Sequence, residues 1–313
     1  MTVGSKIFMG IDVSKNTLDI SVEGKHSKIA NTKSAINNFI KTQLMDIMVE
    51  LCVLESTGGY ERIAIITLNE AGIKVCRAHP NKVHAFAKAA GYFAKTDRLD
   101  ARLLEKYGEF INNGKSTCIV VNQELVTLQD LRSVERDLEE LLHAAQCREK
   151  MFTGKAKTYT KKQIEFIKKQ LVDIRKDIEE VISNDELMKQ KQQILTSYKG
   201  VGKKIANSLI AELPELGKLN HKEIASLVGV APRTNESGKK VGKGHIGGGR
   251  FYVRKVLYMA ALVAAFSNEN MKKKYRELLE KGKVAKVALT AIMRKIIVCL
   301  NAMVKNNKLY ESL

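Results

Sequence analysis

The stretch Lys6-Ile7-Phe8-Met9-Gly10-Ile11-Asp12 is a short apolar run that closes on a carboxylate, and it reads as a strand. A second apolar run, Leu51-Cys52-Val53-Leu54-Glu55, also closes on an acid. A third acidic element, Lys95-Thr96-Asp97-Arg98-Leu99-Asp100-Ala101-Arg102, reads as the first turns of a helix. Asp97 and Asp100 are three apart and so share a helix face. Acids at the ends of two strands, plus an acidic pair on one helix face, suit a magnesium site. Magnesium is a hard ion that takes carboxylate oxygens together with phosphate and water. A pair of such ions about 4 Å apart activates the attacking oxygen at a phosphodiester and stabilises the leaving one. Each acid alone also has a plainer reading. Asp97 and Asp100 suit the positive end of a helix dipole, and Glu55 precedes the turn Ser56-Thr57-Gly58-Gly59. The four together, in strand, strand and helix, favour the metal site.

Outward from these runs, residues 5–112 alternate strands and helices. Lys6–Asp12 and Thr17–Val22 form a hairpin, with a third strand at Ser27–Asn31. Ala35–Met45 has helical spacing, and Met48–Glu55 is a buried strand. Tyr60–Ala71 is a helix stopped at Gly72, Ile73–Ala78 is a strand, and Pro80 opens a helix to about Ala90. A three-stranded meander followed by helix–strand units predicts an α/β, ribonuclease-H-like domain with a mixed sheet.

Residues 123–197 hold one glycine, Gly154, and no proline. Apolar residues recur at Leu131, Val134, Leu138, Leu141 and Ala145, and again at Ile164, Ile167, Leu171, Ile174, Ile178 and Val181. Alternating steps of three and four are the coiled-coil pattern. They fit either a packed helical hairpin or a dimer seam. The domain boundaries expected are 1–115, 120–195 and 196–313.

The chain carries a net charge of +19, and residues 199–313 hold 23 Lys and Arg against 8 Glu and no Asp. That segment accounts for +15 and points to a polyanionic partner. Tyr198-Lys199-Gly200-Val201-Gly202-Lys203-Lys204 has the form of a helix-hairpin-helix turn, whose backbone N–H groups bind phosphate without reading sequence. The loop from Gly229 to Arg250 packs seven Gly and five basic residues into 22 positions, before a helix that bears Arg254. Ser237, its one serine, stands among Lys239, Lys240, Lys243 and Arg250. Such a serine is either a nucleophile toward a phosphodiester or part of a simple Ser-Gly turn.

The five cysteines show no metal or disulfide spacing, and Cys52 and Cys76 read as core thiols. No signal peptide is visible, and no apolar run reaches the roughly 18 residues of a membrane helix. A cytoplasmic protein without a membrane partner is expected.

At these residues the chain resembles a known family. Gly10-Ile11-Asp12-Val13-Ser14-Lys15, Glu55-Ser56-Thr57-Gly58-Gly59-Tyr60 and Lys95-Thr96-Asp97-Arg98-Leu99-Asp100-Ala101 are similar to the three acidic blocks of insertion sequence 110 family transposases, relatives of the pilin-gene invertase. Gly229-Val230-Ala231-Pro232, Ser237-Gly238, Arg254 and the tail Lys286–Lys295 resemble that family's C-terminal domain. Gly247-Gly248 departs from its pattern. The resemblance implies a resolvase-like domain that binds Mg2+ through Asp12, Glu55, Asp97 and Asp100, with Ser237 as nucleophile. It implies DNA partners (element ends and target), a structured guide RNA, and a homodimer or homotetramer. Two other functions remain open: a metal-dependent, structure-specific endonuclease that makes no use of Ser237, and a non-catalytic RNA–protein scaffold.

Overall fold

A computed structural model describes residues 6–92, 97–112, 120–232, 236–237, 240–241 and 245–310; for 97, 98, 236, 237, 240 and 241 it describes the backbone alone. The apolar run around Ile7 forms β1 (Ile7–Val13), and β2 (Thr17–Val22) folds back on it. Ser14 closes that turn: its N–H donates to Thr17 O at 2.9 Å, and its Oγ accepts from Thr17 N at 3.0 Å. β3 (Lys25–Ala30) follows through Glu23 and Gly24, both at positive φ (51° and 75°), as tight hairpin turns require. Then come α1 (Lys33–Gln43), β4 (Val49–Glu55), α2 (Arg62–Glu70), β5 (Val75–Ala78), α3 (Pro80–Ala89) and α4 (Asp97–Phe110). The sheet order is β3-β2-β1-β4-β5, with β1, β4 and β5 parallel and the meander antiparallel.

Side chains alternate along each strand, so β1 presents two sets. Phe8 joins Leu51, Val53, Cys76 and Ala78 in one apolar layer with Val83 and Ala87 of α3 and Leu103, Leu104 and Tyr107 of α4. Met9, Ile11, Cys52 and Leu54, of the other set, are also buried. The buried residues of α1 and α2, Ile36, Phe39, Ile65 and Leu68 among them, supply that second layer. Cys52 is a buried thiol, and burial pushes its pKa far above the ordinary value. Cys76 is disulfide-bonded, which corrects its reading as a free core thiol.

The chain divides into two compact units, Met1–Val126 and Thr127–Leu313. The second is helical: α5 (Gln123–Met151, whose first turn belongs to the first unit), α6 (Gly154–Asn184), α7 (Glu186–Thr196), α8 (Lys203–Glu212) and α9 (His221–Val228). A small hairpin, β6 (Glu236–Ser237) and β7 (Lys240–Val241), precedes α10 (Phe251–Ser267), α11 (Glu269–Glu280) and α12 (Ala285–Asn306). Ion pairs Glu149–Lys157 and Glu139–Arg175 set α5 and α6 side by side and antiparallel. α6 buries Ile164, Ile167, Leu171, Ile174 and Ile178 as expected, and then Ile182 in place of Val181. α5 departs further. Val134 and Leu141 are about half exposed, while Arg132 and Glu135 are buried as a pair. Arg132 also donates to Ser208 of α8 at 2.5 Å, so a polar link stands where an apolar seam was expected.

α12 is long and apolar enough to cross a membrane by length and composition, which corrects the expectation that no segment reaches that length. It packs against α10, α9, α11 and α7. Its Asn301 is buried, accepts from Gly217 N at 2.8 Å and donates to Leu219 O at 2.8 Å. These are the bonds of a core helix.

Candidate active site and nucleic-acid contacts

One glycine sets the geometry of the acidic edge. A Cβ on Gly10 would lie 2.1 Å from Ala101 O and 2.3 Å from Glu105 N, so α4 touches β1 backbone to backbone. Nearer the start of β1, a Cβ on Gly108 would meet Phe8 Cβ at 3.4 Å. The helix therefore runs antiparallel to the strand. Two further residues of strand, about 6.6 Å, equal about four residues of helix. That brings the Asp97–Asp100 turn level with Asp12. The parallel register Ile11↔Leu54 sets Glu55 beside Asp12 on the adjacent strand. Asp12, Glu55 and Asp100 are each partly buried; the side chain of Asp97 lies outside the described residues. Among the described residues, no three His, Cys, Asp or Glu side chains gather as a metal-binding group.

Three further acids brace this edge. Asp19 is buried and sits directly across the hairpin from Asp12. Opposed like charges are unfavourable; Asp19 is compensated by Lys28 at 2.9 Å and shares a hydrogen bond with His26 Nε2 at 2.9 Å. Glu105, also buried, accepts from Ser21 Oγ at 2.5 Å and from Gly24 N at 3.1 Å, fastening α4 to the meander. Glu61 clamps the turn after Glu55, accepting from Gly59 N at 2.8 Å, Thr57 Oγ1 at 2.9 Å and Thr57 N at 3.2 Å. Burial pushes its pKa up, but the hydrogen bonds prevail and hold it below the usual carboxylate range. Sequence reasoning missed all three. Asp19 alone had a signal: an acid on the inward phase of a strand, paired with Asp12 once the hairpin is drawn.

In the second unit, Ser237 pairs with Lys240 and Glu236 with Val241 in a short antiparallel hairpin. The long glycine loop is pinched at its root. A Cβ on Gly229 (φ 76°) would lie 2.2 Å from Gly248 O, and one on Gly249 (φ 64°) 2.4 Å from Gly229 N. Arg254 donates to Val228 O at 3.2 Å and Gly248 O at 2.5 Å, tying both ends of the loop together. Ser237 thus belongs to a short hairpin within a loop whose root is closed.

Comparisons with known proteins bear on both units. A transposase profile of the DEDD type matches residues 9–152, and the profile described as "Transposase IS116/IS110/IS902 family" matches residues 192–276. The chain belongs to this transposase family. It is similar to the pilin gene-inverting proteins of Moraxella bovis and Moraxella lacunata, each 27% identical with 98% of both chains covered. The transposase is accordingly a DNA recombinase, and its DEDD domain points to dependence on a divalent metal.

The residues expected to contact nucleic acid divide into two groups. Lys239 and Lys243, and the side chains of Ser237 and Lys240, lie outside the described residues. Most of the others are engaged within the fold. Gly200 (φ 112°) packs against Ala264, where an added Cβ would meet Ala264 Cβ at 3.1 Å. Gly202 caps α8 with open space beside it. Lys203 pairs with Glu179 at 3.1 Å and Lys204 with Glu139. Arg250 binds both carboxylate oxygens of Glu215 at 2.5 Å and Glu212 O at 2.7 Å. Arg250 and Arg254, expected on phosphate, thus make intramolecular bonds that build the loop's root.

Proposed function

We propose that the transposase cuts and rejoins the strands of an insertion element through Asp12, Glu55, Asp97 and Asp100 around magnesium, with Ser237 as nucleophile. The observation that carries this reading is the Gly10 contact, which levels the Asp97–Asp100 turn with Asp12 and Glu55. The donors are all carboxylate oxygens, the set a hard divalent cation takes. Bound there, magnesium would stabilise charge at the attacking and leaving oxygens. Ser237 Oγ attacks phosphorus and loses its proton, and the departing strand leaves as a sugar hydroxyl. A hydroxyl of the incoming strand then attacks the phosphoserine and regenerates the serine. The number of phosphodiester bonds is conserved. In the same reading, the α7–α8 turn is a helix-hairpin-helix contact to phosphate. The α5–α6 pair is a coiled-coil element for a dimer or tetramer, and the basic surface also receives a guide RNA.

The test is covalent trapping. Full-length protein, Mg2+, labelled DNA spanning the element's ends and RNA from its flanks are resolved on a denaturing gel. A protein–DNA adduct that disappears in both Ser237→Ala and Asp12→Ala is expected. Cleavage that persists without an adduct in Ser237→Ala would sink the nucleophile and leave a metal-dependent nuclease.

A further inference from the structure

Phe251 and Tyr252 open α10 immediately after the root of the serine loop. Both rings face solvent, Phe251 at 63% and Tyr252 at 45% exposure. They are held rather than loose. The guanidinium of Arg136 lies 4.3 Å from the centre of the Tyr252 ring, and Arg136 is itself fixed by Glu212. Tyr252 meets Phe251 edge to face, with centroids 5.7 Å apart. Arg254 stands 5.8 Å from the Phe251 ring, and its bonds go to carbonyls rather than carboxylates. An aromatic ring exposed to water, immobilised in advance and flanked by guanidinium groups, is the surface on which unpaired bases stack. Ordering it beforehand removes much of the entropic cost of binding.

We propose that Phe251, supported by Tyr252 and Arg136, is a stacking platform for one unpaired nucleobase of the strand handled by the serine loop. The platform rests on the reading of that loop as the strand-transfer element. Duplex DNA keeps its bases stacked on one another and offers the ring no free face, so the platform selects opened or displaced nucleotides.

The chain has no tryptophan, so Phe251→Trp in the full-length protein places its one tryptophan, excited selectively over the tyrosines, at the platform. It is titrated with a labelled single-stranded DNA of about 12 nucleotides, the same sequence as RNA, and the paired duplex. Label anisotropy reports occupancy independently. Expected is quenching of the tryptophan by single strands at saturation and none by bound duplex. DNA alone or RNA as well giving the quench identifies the source of the base. In Phe251→Ala, single-strand affinity falls about tenfold while duplex affinity holds. Single strands that bind without quenching, or a duplex that quenches equally, overturn the platform alone. No binding by any nucleic acid overturns it together with the loop's DNA role, so the two failures are distinguishable.

Discussion

The acidic edge and the serine hairpin both depend on glycines that let backbones touch, yet they are built to opposite specifications. Behind the acids stand a five-stranded sheet, a helix in backbone contact and three buried carboxylates, Asp19, Glu61 and Glu105, that brace the turns around them. Behind Ser237 stands a hairpin of two residues per strand, too short to be stable alone, in a loop whose root is closed by Arg254 and the Gly229–Gly248 contact. Groups that share a cation need fixed mutual spacing, which a sheet and helix provide. A nucleophile that becomes joined to one strand and then yields it to another needs reach. On the proposed reading, the contrast is one of rigid ligands against a carried nucleophile.

The sharpest way to break this contrast is Gly10→Ala. Its Cβ would overlap backbone atoms, Ala101 O and Glu105 N, which no rotamer change relieves. Forced overpacking costs about 1–3 kcal/mol and sometimes more, so the first unit should lose about 3 kcal/mol or more and the adduct should vanish. Thermal unfolding beside the trapping gel reads both. Gly229→Ala is the matched change at the loop root, where a Cβ meets Gly248 O and φ is 76°. Its cost should be about 1–3 kcal/mol, confined to the loop, with the adduct lost and unfolding little changed. Equal melting losses in both variants would erase the distinction.

Arg254→Ala sharpens it from the loop side. Two carbonyls, Val228 O and Gly248 O, lose their donor, at about 1–3 kcal/mol. Adduct formation should fall about tenfold, an amount equal to about 1.4 kcal/mol, with partial return in Arg254→Lys. Adduct at the unaltered rate would show that the root does not hold the serine in place.

The fold of the first unit was legible because its strands and helices carry their own periods and stops: the apolar runs around Ile7 and Val53, Gly72, and Pro80 at the first position of α3. What was not legible lies in long-range pairing. No local pattern shows that Lys204 meets Glu139, 65 positions away, or that Arg250 meets Glu215. Basic residues therefore read as phosphate ligands until their carboxylate partners are seen. The stripe on α5 failed for a related reason. Arg132 and Glu135 are buried as an ion pair that also engages Ser208, and Val134 and Leu141 turn outward. The candidate acids could be proposed from sequence because strand ends and helix faces are local features. Their bracing was hidden because Glu61 and Glu105 act through turns that the sequence does not locate.

Glu61→Gln tests the bracing of the acidic edge by pH. The folded pKa of Glu61 is depressed, so its contribution is complete above the unfolded value of about 4.3. It is lost as pH falls through the lower folded value. The variant should be about 1–2 kcal/mol less stable than the parent at neutral pH, and the gap should close below about pH 4. A gap independent of pH would assign Glu61 a packing role in place of its charged bonds.

The smallest effect is expected at Lys203 and Lys204. Each holds a glutamate on a solvent-exposed face. Burial raises the pKa of Glu179, but bonds from Asn207, Lys203 and Gln192 outweigh it and keep the carboxyl charged. Exposed pairs of this kind contribute about 0.2–1 kcal/mol, so Lys203→Gln with Lys204→Gln should cost under about 1 kcal/mol of stability. Two lysines committed to phosphate would lower the salt slope of DNA binding by about two when removed. Lysines that must first leave a carboxylate gain less from phosphate, so a fall of about one is expected, with affinity down about threefold. A full fall of two would show that DNA displaces Glu139 and Glu179 outright. The α7–α8 turn would then belong with the reaching elements of the molecule and not with its rigid ones.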